Sequence, residues 1–295
     1  MPAATVWSAW KKLPLALPPD VLAETLDGGQ SFRWIKNTDG AWIGIWGDCV
    51  ARLSQTDRGM LRWSAPIEIT ARVERGLKSY LSLESDHAAQ IETLPWRSDA
   101  HLATCLKTFP GLRILRQPFG ETLLGFMCSA TKQIVQIKQM VALLAERHGE
   151  ELVPGFRQLP TWAKLASVSD ATLRECKLGF RARHISETAR YLAANPGWLE
   201  KTEAIPYAVA KERLCTLPGV GEKVADCVLL FGAGRMEAFP VDVWILKVMA
   251  RRYGLADWKP AQVAHFGRTH FGPLAGLAQQ YLFAYERRAA KPFVI

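Results

Sequence analysis

Apolar and polar residues alternate in short bursts along the first part of the chain. Segments 31–36, 41–46, 49–55 and 60–64 are rich in aromatic and β-branched residues, and Asn37-Thr38-Asp39-Gly40, Gly47-Asp48 and Asp57-Arg58-Gly59 punctuate them. Such bursts between turn residues predict antiparallel strands in a meander. Past Pro66 the apolar spacing becomes helical over 67–81, and Pro95-Trp96 interrupts the chain before a long helical remainder. There Pro118 sits at the first turn of a helix running through Phe126, and further helices are expected over 134–144 and from Ser169-Asp170 to near Gly179. Helix 181–194 is stopped by Asn195-Pro196-Gly197, and 207–216, 222–231, 241–253 and 274–288 complete the set. No internal repeat interrupts this order. The pattern predicts an α+β chain: a β-rich N-terminal domain over residues 1–95, then an α-helical domain over 96–295.

Composition narrows the partners. With 295 residues and 49% hydrophobic content the chain can bury real cores, and 37 Lys+Arg against 28 Asp+Glu leave a formal charge of +9. That excess favours a polyanion through counterion release, although charge alone selects no particular one. The six cysteines, Cys49, Cys105, Cys128, Cys176, Cys215 and Cys227, form no C-x-x-C pair, so neither a zinc site nor a disulfide framework is expected. In the first twelve residues the basic pair follows the apolar ones and no long hydrophobic run comes after. Neither a secretory signal nor a membrane span is expected, and the expected location is the cytoplasm, with the nucleoid, or a nucleus.

The candidate chemistry lies in residues 214–252, LCTLPGVGEKVADCVLLFGAGRMEAFPVDVWILKVMARR. Leu217-Pro218-Gly219-Val220-Gly221 reads as a tight hairpin between two helices, its glycines permitting positive φ and close backbone approach. Amide groups at such a helix start can grip a phosphate without reading bases. Gly219 to Lys223 faintly suggests a nucleotide-binding loop, but the G-x-x-x-x-G-K-[ST] pattern is missing and the segment follows a helix instead of a strand. On the glycines alone, a hairpin used only for packing stays open. So do Lys223 as a solvated helix residue and Asp242 as an ordinary N-cap.

Taken together, Lys223 and Asp242, 19 residues apart, make the segment resemble the helix-hairpin-helix, Gly/Pro-rich loop and aspartate glycosylases. Within that superfamily the run from Leu217 to Cys227 and Pro240-Val241-Asp242-Val243 are similar to the 8-oxoguanine DNA glycosylase family. Gly28-Gly29-Gln30-Ser31-Phe32-Arg33-Trp34, Leu178-Gly179-Phe180-Arg181-Ala182-Arg183, and Gln279 with Phe283 extend the likeness over most of the chain in the expected order. The resemblance implies a TATA-binding-protein-like antiparallel sheet domain followed by two helical lobes that bracket the site. It implies a monomer acting on double-stranded DNA that contains 8-oxoguanine. No cofactor is required; a monovalent cation at the hairpin is compatible. Because no cysteine follows Cys227, the iron–sulfur cluster of some relatives is not expected.

The roles follow from the same resemblance. Breaking an N-glycosidic bond needs a carboxylate beside the electron-poor sugar and a nucleophile for C1′, which Asp242 and Lys223 would supply. An amine on C1′ can form a Schiff base, so strand cleavage by β-elimination becomes accessible. The base must leave the stack first. Phe283 would stack on one face of it with Cys227 against the other, Gln279 would hydrogen-bond its Watson–Crick edge, and the Gly29 carbonyl would accept from the N7–H that distinguishes 8-oxoguanine. Leu217, Gly219, Val220 and Gly221 would hold the DNA backbone. Phe180 would be the wedge, with Thr131, Lys132, Gln136 and Arg181 around the orphaned base. Two departures stand out. Trp244 replaces the family's usual histidine, a phosphate contact, while Thr131, Lys132 and Gln136 replace two asparagines and an arginine that fill the gap and read cytosine. A glycosylase for alkylated bases, or for adenine opposite the lesion, is the nearest rival. A non-catalytic DNA-binding module is the rival from another class.

Overall fold

The computed structural model describes residues 5–289. Its N-terminal part is an antiparallel sheet in the order β1-β5-β4-β3-β2, built from β1 (Lys11–Ala16), β2 (Trp34–Lys36), β3 (Trp42–Trp46), β4 (Cys49–Gln55) and β5 (Met60–Ser64). The four strands of the meander are those read from the alternation. Strand β1 carries Lys11, Lys12 and Pro14 and shows no such alternation. It lies at the sheet edge, where a proline costs no ladder hydrogen bond, and its register with β5 shifts between Lys12 and Ala16. Strand β2 starts at Trp34 because Ser31 turns toward the Tyr80 hydroxyl, 3.4 Å away, and Phe32 packs edge-on against Phe126.

Helices α1 (Pro19–Asp27) and α2 (Thr70–Tyr80) complete this part. The fully buried Trp34 donates from Nε1 to Tyr80 Oη at 2.9 Å, and Trp46 stacks on Tyr80 with centroids 4.4 Å apart. Strand β3 must carry glycine beside that indole, since a Cβ at Gly44 would lie 2.3 Å from the Trp34 ring.

The helical part begins with α3 (His87–Thr93), α4 (Ala100–Thr108), α5 (Phe119–Met127) and α6 (Ile134–His148). A small hairpin, β6 (Glu151–Val153) with β7 (Phe156–Arg157), leads to α7 (Trp162–Ala166) and α8 (Asp170–Leu173). Next come α9 (Arg181–Ala194), α10 (Trp198–Ala204), α11 (Tyr207–Cys215) and α12 (Glu222–Phe231). The last three are α13 (Val243–Tyr253), α14 (Pro260–Phe271) and α15 (Ala275–Ala289). The single helix expected from Ser169 to Gly179 is broken: after α8 a π-turn spans Arg174–Leu178, and Lys177 takes φ +62°. Helix α13 starts two residues later than expected because Asp242 is its N-cap.

Helix α12 lies against α5 with α11 beside it, whereas α13 and α4 both pack on α15. Lys223 and Asp242 therefore belong to different helix groups. They are held in register where α15 crosses the 232–242 segment. A Cβ at Gly276 would lie 2.4 Å from Leu230 Cδ1 and 2.8 Å from the Ala238 carbonyl oxygen, so only glycine allows that crossing.

Candidate active site

The hairpin joins α11 to α12 through Leu217–Gly221, and Val220 N–H closes it on the Leu217 carbonyl at 3.1 Å. Only one of its glycines needs the left-handed region. Gly219 has φ +76° and lies so close to His184 that a Cβ would meet Nδ1 at 2.5 Å. Gly221 is instead the extended N-cap of α12, with open space where a Cβ would stand. This leaves the first amides of α12 uncovered, as an anion site requires. The angle of the hairpin is fixed from behind. Asp226, 1% exposed, accepts from Tyr207 Oη at 2.6 Å and from Lys211 Nζ at 3.0 Å, pinning α11 to α12. Burial pushes the Asp226 carboxyl above its ordinary range, against the pull of the Lys211 ammonium.

Lys223, in the first turn of α12, points away from that network. Its Nζ reaches Ser129 Oγ at 3.3 Å and sits 5.1 Å from the centroid of the Phe126 ring. One turn further along α12, Cys227 is buried, and burial pushes its thiol up to about 12 although the nearby Lys223 ammonium opposes the shift. Asp242 faces the same amine from the start of α13. Its Oδ1 accepts the N–H groups of Trp244 and Ile245 at 3.0 and 2.9 Å. Burial raises the Asp242 carboxyl above its usual range, while the Ile245 amide and the Lys223 ammonium pull it down. Lys223, Cys227 and Asp242 thus form one electrostatically coupled group. Asp242 is at once a helix cap and a carboxylate that feels the charge of the amine. Gln279, 4% exposed, donates to the Pro240 carbonyl at 3.0 Å and accepts from Gln280 at 3.3 Å. It braces the Pro240-Val241-Asp242 segment, and one N–H and one lone pair of its amide have no partner among the described residues.

A second cluster forms around Gly29, which has φ +107° and the Ile134 side chain 2.9 Å from where a Cβ would stand. Arg287 donates to the Gly28 carbonyl, and Gln117 Nε2 donates to the Gln30 carbonyl at 2.5 Å. The carbonyl of Gly29 between them has no hydrogen-bond partner among the described residues. Arg287 also pairs with Glu24 at 2.9 Å and covers one side of the half-buried Phe283, 5.5 Å from its centroid.

The third cluster joins two loops. Phe180 is 54% exposed, but Arg181 behind it is only 3% exposed. Its guanidinium donates to the carbonyls of Leu178, at 3.1 Å, and Ala130, and to Thr131 Oγ1 at 3.1 Å, with the Phe180 ring 4.4 Å away. Thr131 has φ +55°. Gln136 is occupied as well, accepting the Gln133 N–H at 3.2 Å in the capping turn of α6, whereas Lys132 is exposed. Arg181 is thus engaged within the protein and not held out toward a base, whereas Gln136 is exposed and uses only its Oε1.

The sequence did not single out Ser129, Phe126, Ile134, Arg287 or the Tyr207–Lys211–Asp226 network. The only linear signal for Arg287 is its place four residues after Phe283 on one helix face. Among the described residues no group of three or more His, Cys, Asp or Glu could hold a metal, and no helix is long and apolar enough to cross a membrane.

Comparison with known proteins defines the class first. Residues 124–269 match the model of the HhH-GPD superfamily of base excision DNA repair proteins, and residues 15–123 match that of the 8-oxoguanine DNA glycosylase N-terminal domain. The N-glycosylase/DNA lyase OGG1 of Arabidopsis thaliana is 31% identical over 300 residues, covering 96% of this chain and 81% of the relative. The N-glycosylase/DNA lyase of Saccharomyces cerevisiae is 30% identical over 271 residues, covering 80% and 69%. Among solved structures, the 8-oxoguanine glycosylase/lyase of Clostridium acetobutylicum, in complex with double-stranded DNA containing cytosine opposite 8-oxoguanine, superposes with a TM-score of 0.84 at 31% identity and 92% coverage of both chains. A 3-methyladenine DNA glycosylase from Archaeoglobus fulgidus shares the fold at 20% identity and a TM-score of 0.75. The chain belongs to the 8-oxoguanine DNA glycosylase family.

Proposed function

We propose that this chain is a bifunctional DNA glycosylase and AP lyase that excises 8-oxoguanine from duplex DNA through Lys223. The carrying observation is the convergence of Lys223 and Asp242, from two separate helices, on one coupled site beside the hairpin. The fold shared with a 3-methyladenine glycosylase does not choose the substrate. Gly29 does, because its free carbonyl can accept from the N7–H of 8-oxoguanine and repels the N7 lone pair of guanine.

The hairpin amides and the start of α12 hold phosphate, Phe180 enters the stack, and the lesion swings out onto Phe283. As the C1′–N9 bond breaks, its electron pair leaves with the base, which takes up a proton. The Asp242 carboxylate faces the positive charge that develops on the sugar. Lys223, once its ammonium has given that proton to the departing base, bonds to C1′ through its neutral amine. A proton then passes from the amine nitrogen to O4′ as the C1′–O4′ bond opens, and the nitrogen lone pair completes the Schiff base. Removal of a C2′ proton then expels the 3′-phosphate and cuts the strand.

Borohydride trapping on an 8-oxoguanine duplex tests this reading. The wild type should become covalently attached to DNA, and Lys223→Gln should not, while its duplex binding stays near wild type. Robust trapping by Lys223→Gln would assign the chemistry to another amine.

A further inference from the structure

We infer that Lys247 supplies the phosphate contact that Trp244 cannot, using the Trp244 ring as its rest. The inference builds on the glycosylase reading and adds a DNA-binding residue to it. Trp244 stands two residues after Asp242, in the first turn of α13, where the family commonly has histidine. An indole carries one weak donor and no charge, so it is a poor phosphate ligand. The helix start offers little instead, because the Trp244 and Ile245 amides are both taken by the Asp242 carboxylate.

Lys247 lies three residues on, on the same face of α13. Side chains on a helix lean toward its N-terminus, so a long side chain covers the turn before its own Cα. The lysine does so here: its Nζ lies 5.0 Å from the centroid of the Trp244 ring. The stem spans the helical turn, and the charge arrives at the level of residue 244, on the turn capped by the catalytic carboxylate. Lys247 is exposed, and among the described residues neither an ion pair nor a hydrogen bond holds its ammonium. The other cation on this face, Arg251, is committed to Glu286 at 2.6 Å. A ring that holds an ammonium by cation–π attraction also orders an otherwise mobile lysine before DNA arrives. The ligand is a phosphodiester of the lesion strand, met as a point charge.

Counterion release provides a direct readout. Each phosphate neutralised adds about 0.9 to the slope of log K against log salt for duplex DNA. Binding to a duplex with a non-cleavable abasic-site analogue should therefore lose about 0.9 of slope in Lys247→Ala and keep it in Lys247→Arg. Trp244→Ala should weaken binding at fixed salt, because the lysine loses its rest. A wild-type slope in Lys247→Ala overturns the inference, as does loss of the slope in Lys247→Arg. Borohydride trapping by the wild type, run alongside, separates the two readings. Trapping with an unchanged Lys247→Ala slope rejects only the phosphate role, whereas absence of trapping rejects the glycosylase reading and this role with it.

Discussion

Replacing Asp242 with asparagine should move stability and activity in opposite directions. The side chain caps α13 through two hydrogen bonds at 3.0 and 2.9 Å, and asparagine is as good an N-cap as aspartate. The carboxyl itself is held above its ordinary range, first by burial, with the Ile245 amide and the Lys223 ammonium opposing. For an acid with a raised folded pKa, the folded chain keeps its proton where the unfolded chain, titrating near ~3.9, has lost it. Stability therefore falls as pH climbs from the unfolded value through the folded one, and the penalty is constant above that. At neutral pH the wild type carries this penalty and Asp242→Asn does not. The variant should melt at or above the wild-type temperature, whereas Asp242→Ala, without the cap, should lose about 1 kcal/mol. In a domain of roughly this size that is about 2–4 °C. Removing a preorganised electrostatic group costs about 10²–10³ in rate, and single-turnover excision by Asp242→Asn should fall at least that far. Thermal unfolding at neutral and acidic pH checks the stability half, because the gap to wild type should close as the native carboxyl regains its proton. The reasoning fails if Asp242→Asn melts below Asp242→Ala, or if it excises the lesion within about tenfold of wild type.

Gly29→Ala should lower both stability and excision: φ is +107°, and the new Cβ would meet Ile134 Cδ1 at 2.9 Å. A strained backbone of this kind costs about 1–3 kcal/mol, read as a lower melting temperature, and wild-type melting with wild-type excision would contradict the assignment. Gln136→Arg should sharpen the preference for cytosine opposite the lesion, and Arg181→Ala should flatten it, each within the range of one bidentate contact, about 1–3 kcal/mol. Single-turnover excision opposite each of the four bases measures this, and unchanged ratios in both variants would remove these residues from orphan-base reading.

Legibility in the sequence followed the range of the interactions. The strands of the meander and helices α9 and α12 were readable because alternation, helical spacing and turn residues are local. Strand β1 was not, since Lys11, Lys12 and Pro14 form an edge strand only because β5 is there to receive them. Helix α4 owes its place to contacts far along the chain: its N-cap Asp99 binds Tyr253 at 2.9 Å and His270 at 3.0 Å. The π-turn before Gly179 was read as continuous helix, because nothing in Arg174 to Leu178 is unfit for one. The proposed catalytic pair, Lys223 and Asp242, was singled out by its motif, but its setting could not be read. Ser129, Phe126 and Asp226 are ordinary residues in one dimension, and they become site residues only when α5 and α11 close on α12.

Arg181 shows how folding can prepare a site that is not yet displayed. In the protein alone its guanidinium holds the loop at Ala130 and Thr131, yet its Nε–H is buried without a partner. A buried donor left unpaired costs about 1–3 kcal/mol. The same loop keeps Thr131, a β-branched residue, at φ +55°, a conformation such residues rarely adopt. The proposed reading of the orphaned base asks Arg181 to exchange these carbonyls for base acceptors. That exchange would release the loop from its clamp and give the unpaired donor a partner. Strain in the loop and an unspent N–H thus both disfavour the closed arrangement, and insertion of the exposed Phe180 into the stack brings an acceptor edge to the adjacent residue. The burial of Arg181 in the free protein is therefore compatible with a DNA-reading role, provided the base supplies acceptors that replace the Leu178, Ala130 and Thr131 oxygens.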